Sequence, residues 1–365
     1  MPDKPYYTSS PSAFADLMSL RRLPSPPPNP LSPEQTERFE SLAPPYPPGE
    51  GTRAFGGHVY AQSAYAASKT VTPGFVIHNI TGTFILGALL DTPYEYTVRH
   101  LRDGKMYCTR AVDARQHNQI IFSSLCSFKR DENQNPFSHQ PRPVQERYAA
   151  LLDGKKPEDF MVSPSVDADW WIEEGLEGRE FPGVDVRKVD MRGWNRGGGR
   201  PEGFRQLAMY SLKGGVEEEG RDDGEGKRVN GERGLRERDE QGEFDNLYAC
   251  AHMYACDRNS LLLIPRALGQ RNWTSMASLT LTVVFHRLGE ALRMLDWEGD
   301  RDGAEGKGKG KGLKKKWFVQ EGWTPRSGEN RAVHESWLWT PDGQLLATSI
   351  QDSQLRLSRW SGEKL

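Results

Sequence analysis

The sequence predicts an α+β fold in which a unit of one helix and one antiparallel sheet occurs twice. An alanine-rich helical stretch, His58 to Lys69, is followed by β-type stretches, and the same order returns in the last third of the chain. Two local repeats support a duplication, because Arg110-Ala111-Val112 and Arg331-Ala332-Val333 each lead into a turn and a further strand. Self-similarity over such a long period is typical of a duplicated structural unit.

The first unit is expected at residues 36–135. Its helix contains no proline, and its many small residues allow other elements to approach closely, so we expect the helix to be buried. Alternating or β-rich composition predicts three strands joined by polar turns. The predicted strands are Tyr94–Arg99, Met106–Ala114 and Ile120–Phe128, with turns at residues 102–105 and 117–119.

The second unit is expected at residues 246–362 and begins with a helix from Asp257 to about Leu268. The predicted strands that follow are Met276–Arg287, Trp317–Trp323, Ala332–Trp339 and Leu345–Leu357. A helix wrapped by a long antiparallel sheet is the hotdog unit, and a single copy leaves an edge strand and an apolar face uncovered. We therefore predict a double hotdog, in which the two units join into one sheet.

The remaining segments are expected to be peripheral. Residues 1–35 predict a helix over Ser12–Arg22 and then a proline-rich spacer. A further helix is expected to begin at Ser32-Pro33-Glu34 and to end before Pro44. Residues 136–245 are expected to form a connector. Glycine and charged residues dominate 214–245 and 298–316, so we expect both stretches to be disordered insertions.

Composition excludes several classes of function. Lys plus Arg number 48 and Asp plus Glu number 50, so a net charge of −2 gives no drive toward nucleic acid. No run approaches the ~18 apolar residues of a membrane span, and no secretory signal pattern is present. The four cysteines form no Cys-x-x-Cys pair, so we expect buried thiols and no zinc site. They are Cys108, Cys126, Cys250 and Cys256.

Four motifs resemble those of the acyl-CoA thioesterase II family. Arg53 to Gln62 is similar to that family's R-x-F-G-G-Q-x-x-x-Q helix start, and Leu101 to Arg110 to its L-R-D-G strand turn. In the second half, Ala277 to Arg287 resembles the family's A-(S/T)-(I/L)-D-H-S-x-W-F-H-R strand. Asp342 to Gln351 resembles its D-G-x-L-V-A-S-x-x-Q end. The order of the motifs matches in both halves.

This resemblance implies hydrolysis of an acyl-CoA substrate to the free acid and coenzyme A, without a cofactor or a metal. The family's water-activating Asp, Ser or Thr, and Gln map onto Asp257, Ser278 and Gln351. From the residues alone, Asp257 is expected at the start of a helix, where a carboxylate is stabilised and can accept a proton. Ser278 and Gln351 offer donors and acceptors on predicted strands.

The developing oxyanion of a thioester needs N–H donors, and helix N-termini at Gly57 or Asp257 would supply them. His58, Thr280 and His286 are further candidate oxyanion or substrate contacts, although buried histidines more often serve packing. Without a Gly-x-Ser-x-Gly motif, a serine-hydrolase mechanism has no support.

Two alternatives stay open at this stage. The family's Asp-His pair is here Thr280-Leu281, which motivates a non-catalytic acyl-CoA-binding hotdog protein. A hotdog hydratase or dehydratase acting on enoyl thioesters would need an Asp-to-His run after a strand, and none is found.

Partners and compartment follow from the same reasoning. Besides acyl-CoA, a homodimer is the candidate assembly, because joined units keep free sheet edges. The ending Glu363-Lys364-Leu365 shares two residues with the Ser-Lys-Leu peroxisomal address. Cytoplasm and peroxisome are therefore held as equal expectations.

Overall fold

The computed structural model describes most of the chain. The described residues are 13–24, 35–49, 52–132, 136–167, 181–196, 200–217, 232–270, 273–297 and 314–357. The helices are α1 (Phe14–Leu17), α2 (Gly56–Ser68), α3 (Val144–Arg147), α4 (Ala149–Leu152), α5 (Arg192–Arg196), α6 (Glu232–Glu240), α7 (Asp245–Asp257) and α8 (Ser260–Ala267). Short 3-10 turns cover Pro157–Asp159, Pro201–Gly203 and Gly289–Leu292.

The strands fall into a first and a second group along the chain. The first group is β1 (Leu20–Leu23), β2 (Thr36–Ser41), β3 (Phe75–Phe84), β4 (Glu95–Asp103), β5 (Tyr107–Gln116), β6 (Gln119–Arg130), β7 (Met161–Val162), β8 (Val184–Lys188) and β9 (Gln206–Leu212). The second group is β10 (Trp273–Phe285), β11 (Leu295–Asp296), β12 (Lys314–Lys315), β13 (Phe318–Gly328), β14 (Arg331–Trp339) and β15 (Leu345–Leu357).

A single antiparallel sheet of 13 strands runs through both halves, in the order β1-β2-β4-β5-β6-β3-β10-β15-β14-β13-β9-β8-β7. The halves meet where β3 pairs with β10, with Thr83 opposite Thr280 and Asn79 opposite Val284. Read outward from this junction, β6 corresponds to β15 and β5 to β14. The Arg-Ala-Val repeats lie on β5 and β14, which are equivalent strands. The predicted double hotdog with one continuous sheet is confirmed.

Helices α2 and α7 pack against each other on one face of this sheet. Each has 13 residues, and small residues make most of both helices buried. The predicted position of the second unit's helix is wrong, because α7 ends at Asp257 where the prediction began. Asn259 then adopts a left-handed conformation with φ 54°. That residue breaks the chain direction, so α8 is a separate helix that covers β13 and β14.

The N-terminal helix predictions are also corrected. Of the helix predicted over Ser12–Arg22, only α1 is helical. Strand β1 follows it, with Leu20 opposite Ser41 of β2. The second expected helix is instead β2, while Ser32-Pro33-Glu34 lie outside the described residues. Alternate burial along β2 and its pairing with β1 and β4 explain the difference, because tertiary pairing overrides local propensity. Strand β3 was absent from the sequence prediction.

The connector and the insertions contain more structure than expected. Strands β7, β8 and β9 come from the connector and extend the sheet beyond β13. Of the first charged insertion, residues 218–231 lie outside the described residues, but Glu232–Glu240 forms α6. Asp239 of α6 accepts a hydrogen bond from the Trp297 indole at 2.5 Å, which anchors the helix. Of the second insertion, residues 298–313 lie outside the described residues.

The segment around α3 covers the outer face of the second half. Tyr148, Val319 and Trp339 are members of a small second core there. Arg147 donates to both carboxylate oxygens of the buried Glu321 on β13, at 2.6 and 2.5 Å. The Tyr148 hydroxyl adds a bond of 2.7 Å to the same carboxylate. All four cysteines are buried free thiols, as predicted.

Candidate active site

Asp257 lies between the two halves of the protein. It is the last residue of α7, and only 6 % of its surface is exposed. The carboxyl end of a helix is unfavourable for a carboxylate, so the expected stabilisation by its own helix is wrong. The side chain instead reaches the N-terminus of α2, where the backbone N–H of Gly57 donates a hydrogen bond to it. The favourable helix end is thus supplied by the other half.

Glycines at the start of α2 make this approach sterically feasible. A Cβ atom on Gly56 would lie 2.9 Å from Cε1 of Phe84 and 3.2 Å from Oδ2 of Asp257. A Cβ atom on Gly57 would lie 2.5 Å from Cζ of Phe55 and 3.1 Å from the Cβ of Asp257. A larger residue at either position would have to displace an aromatic ring or the Asp257 side chain, so the Gly-Gly pair keeps the helix N-terminus open to the carboxylate.

Ser278 is directed to the same place by a β-bulge. Leu281 lies opposite Gln351 and Thr280 opposite Asp352, but the next pair is Ser278 with Ser353. One extra residue, Leu279, therefore separates two neighbouring pairs on β10. Because side chains alternate between the faces of a strand, the extra residue moves Ser278 onto the face that α7 covers.

Gln351 joins the other two candidate residues. Its Nε2 donates to Oδ1 of Asp257 at 2.6 Å and to Oγ of Ser278 at 2.7 Å. An amide nitrogen has two hydrogens, so these bonds use both. The side chain is fully buried, and β15 holds it directly beside β10. The structure thus brings together all three residues that the family resemblance singled out.

The carboxylate of Asp257 experiences opposing electrostatic influences. Burial raises its pKa above the ordinary aspartate value, while hydrogen bonds from Gln351, Gly57, Ser260 and Ser278 act in the opposite direction. A carboxylate with a raised pKa is a stronger base and accepts a proton more readily near neutral pH. This environment is suited to general-base chemistry.

The other candidate contacts have different surroundings. His58 is buried with Nε2 3.0 Å from the carbonyl oxygen of Leu17, and burial lowers its pKa to about 4. Thr280 lies opposite Asp352, on the face away from α7. His286 is exposed, bonds Thr348 at 2.8 Å, and lies eight residues from Ser278, about 26 Å along an extended strand. Gly57 alone among these four contacts Asp257.

Two further residues border the trio, and sequence reasoning overlooked the first of them. Ser260 at the start of α8 donates to the backbone carbonyl of Asp257 at 2.9 Å, and Phe84 at the end of β3 faces Gly56. A Ser three residues after an Asp is a local signal for such a turn. The sequence marks Phe84 as a core or acyl-channel residue, but its position beside Gly56 depends on the pairing of β3 with β10.

Comparisons with known proteins identify the family of this chain. The family model described as the acyl-CoA thioesterase N-terminal domain matches residues 43–129, and that of the acyl-CoA thioesterase C-terminal domain matches residues 184–354. Acyl-coenzyme A thioesterase 8 of Rattus norvegicus is 31 % identical over 310 residues, which cover 83 % of this chain and 80 % of that protein. The chain belongs to the acyl-CoA thioesterase family. It is thereby a thioester hydrolase by class.

Further similarities to this thioesterase are shorter or more distant. Peroxisomal acyl-coenzyme A thioester hydrolase 1 of Saccharomyces cerevisiae is 36 % identical over 100 residues, 27 % of this chain and 28 % of the yeast protein. Shorter matches to the mouse and human proteins named acyl-coenzyme A thioesterase 8 also span less than a third of each relative. The acyl-CoA thioesterase II TesB2 structure from Mycobacterium marinum has a TM-score of 0.57 at 21 % identity, covering 96 % of this chain and all of that one. This last likeness supports the fold.

The described part of the thioesterase contains neither a candidate metal site nor a helix that could span a membrane. Within the described ranges, no group of three or more His, Cys, Asp or Glu side chains could hold a metal ion. In the same part of the chain, no helix has the length and apolar character needed to cross a membrane.

Proposed function

We propose that this thioesterase hydrolyses an acyl-CoA to the free carboxylic acid and coenzyme A, using water activated by Asp257, Ser278 and Gln351. One observation carries the proposal, namely the Gln351 amide that bonds Asp257 and Ser278 at 2.6 and 2.7 Å. This arrangement leaves the amide oxygen of Gln351 as a buried acceptor with no partner among the described residues. A water beside the trio can donate one hydrogen to that oxygen and the other to Asp257.

In the proposed reaction, Asp257 takes a proton from the water as its oxygen attacks the thioester carbonyl carbon. The carbonyl oxygen then carries negative charge and lies at the N-terminus of α2, where backbone N–H groups and the helix dipole stabilise it. Collapse of this intermediate breaks the C–S bond. The proton held by Asp257 passes to the leaving thiolate, so the carboxylate is regenerated.

The proposal is tested by replacing Asp257 with Asn, which keeps the shape of the side chain and removes the base. We expect the turnover number to fall by about 10²-fold or more with a smaller change in KM. Thiol release from a panel of acyl-CoAs measures both quantities. Asp113→Asn on β5 is a matched control, because Asp113 is half-buried in the first half of the sheet and accepts a hydrogen bond from Ser123. Full activity of the Asp257→Asn variant would contradict the assignment.

A non-catalytic, acyl-CoA-binding role is a second candidate, and one observation favours it. Leu281 replaces a histidine of the family motif and lies fully buried directly opposite Gln351. Its apolar side chain reduces the polarity of the site. The two functions are separated by the same assay together with calorimetry, since saturable binding without thiol release would support the binding role.

We further propose a role in fatty acid metabolism in the cytoplasm or the peroxisome. The yeast relative that is named peroxisomal motivates the second compartment. A fluorescent protein fused to the N-terminus of the full chain, viewed with a peroxisomal marker, distinguishes the two. Homodimerisation is proposed from the end strands β1 and β7, whose outer edges have no strand partner among the described residues, and light scattering of the purified protein measures it.

A further inference from the structure

A buried histidine beside the trio has no part in the chemistry described so far. His334 on β14 lies directly opposite Gln351 on β15. Burial alternates along both strands, with Ala332, His334 and Ser336 buried on one strand and Gln351 and its alternate neighbours buried on the other. His334 and Gln351 therefore occupy the same face, the one covered by α7 and α8. Directly opposed side chains on antiparallel strands start about 5 Å apart.

Three polar atoms on this patch are buried without a hydrogen-bond partner in the described part of the chain. They are Nδ1 of His334, Oε1 of Gln351 and Oγ of Ser353. Ser353 follows Gln351 by two residues on β15 and lies opposite Ala332, two residues from His334. Buried polar groups in proteins are almost always bonded, and one buried water commonly serves about three of them. The three atoms therefore indicate a shared partner.

The imidazole of His334 is buried beside Gly322. Only 1 % of its surface is exposed, and burial lowers its pKa to about 4, so the ring is neutral near pH 7. A Cβ atom on Gly322 would lie 3.2 Å from its Nε2 and 3.1 Å from Cδ1 of Leu263. A neutral imidazole has one N–H donor and one acceptor. The ring can therefore donate toward the amide without adding charge to the site.

The orientation of the Gln351 amide decides whether the trio can form. With Nε2 toward Asp257, both amide hydrogens are used productively, whereas a rotated amide would place Oε1 against the carboxylate and lose the bond to Asp257. A donor on the Oε1 side stabilises the productive orientation. We infer that His334 is a positioning residue that holds the Gln351 amide in the productive orientation, directly or through a water shared with Ser353. This inference deepens the proposed function and rests on it.

The test compares replacements of His334 that keep or remove the donor. His334→Leu removes it, and we expect kcat to fall about tenfold with KM within twofold, a factor equivalent to ~1.4 kcal/mol and to one neutral hydrogen bond. His334→Asn keeps an amide N–H near the position of Nδ1 and should recover kcat to within about threefold of wild type. His334→Gln places its amide near the position of Nε2 and should not recover kcat. If His334→Leu does not fold, the difference in kcat between His334→Asn and His334→Gln tests the inference instead.

A double-mutant cycle separates positioning from a packing effect. In a Gln351→Ala background, His334→Leu should change kcat by less than twofold, because its influence passes through Gln351. An equal tenfold loss in both backgrounds would overturn the inference, as would equal kcat values for the Asn and Gln variants. Thermal unfolding of each variant shows whether the folded fraction explains any loss. If Gln351→Ala itself retains full turnover, the proposed function fails; if it is impaired while His334→Leu is fully active, only this inference fails.

Discussion

Replacing Gln351 by Glu tests the site with almost no change in shape. The substitution exchanges the Nε2 amide for a carboxylate oxygen at the atom that donates to Asp257 Oδ1 at 2.6 Å and to Ser278 Oγ at 2.7 Å. Two buried carboxyl groups would then lie within hydrogen-bonding distance. Two carboxyl groups so close together cannot both be ionised, so the pair is expected to hold one shared proton near neutral pH.

The expected size of the effect follows from the lost contacts. A hydrogen bond to a charged group contributes about 1.5–3 kcal/mol, which corresponds to about 10- to 100-fold in rate. In addition, the shared proton occupies the group that should accept a proton from water. We therefore expect the turnover number of Gln351→Glu to fall by at least about 10²-fold at pH 7.

Stability should also depend on pH in a predictable direction. A carboxyl pair with a raised pKa in the folded state binds more protons than the unfolded chain does at the same pH. The free energy of unfolding of the Gln351→Glu protein should therefore fall as pH rises from the ordinary carboxyl pKa through the raised pKa of the pair. In the wild-type protein, Asp257 is the one carboxyl group of this pair, with a raised pKa, so the decline due to this site should be smaller.

Thiol release at pH values from 5 to 9 and thermal unfolding over the same range provide the measurements. Gln354→Glu is the matched control, because Gln354 lies on the same strand and on the opposite face. Wild-type turnover in the Gln351→Glu protein would refute the reasoning. Equal losses in the two variants would point to added charge on β15 as the cause.

Three further outcomes are expected. Gly57→Ala should lower kcat at least tenfold, since its methyl group would lie 2.5 Å from the Phe55 ring and 3.1 Å from the Cβ of Asp257, whereas Gly215→Ala has no atom within 4 Å and should be neutral in the same assay. Because burial raises the pKa of Asp257, wild-type kcat should fall on acidification at a pH above the ordinary aspartate pKa, and a pH–rate profile locates the midpoint. Arg147→Leu should reduce the free energy of unfolding by about 3 kcal/mol, because it leaves the buried Glu321 without its main cation, and denaturant titration should show this with unchanged turnover per folded molecule.

The strands of the second half were the most predictable part of the fold. Met276–Arg287 was predicted where β10 spans Trp273–Phe285, and Leu345–Leu357 agrees with β15 at both ends. Long β-rich stretches between charged or glycine-rich turns give a strong local signal. The turn predicted at residues 117–119 is also present. His117 and Asn118 adopt positive φ values of 47° and 64° between β5 and β6, as tight hairpin turns require.

Elements whose conformation depends on distant partners were predicted less well. Thr36–Ser41 lies after a helix-like start signal, but two neighbouring strands make it part of the sheet. The central helix of the second unit was placed too late, although residues 245–257 are mostly small or apolar. Packing against α2 makes this stretch a buried helix, and no local pattern shows that contact.

The sequence by itself determined the duplicated unit, the family and the identity of the proposed trio, because residue types and motif order are local properties of the chain. Only the tertiary structure decided how those residues act together. Asp257 lies at the C-terminus of its own helix, which is unfavourable for a carboxylate, and beside Gly57 at the favourable N-terminus of α2 from the other half. A bulge in β10 turned Ser278 toward that carboxylate, and strand pairing brought Gln351 and His334 to it. The physical reason is that the field and hydrogen bonds at a buried carboxylate come from groups distant along the chain, whose positions are set by packing and register.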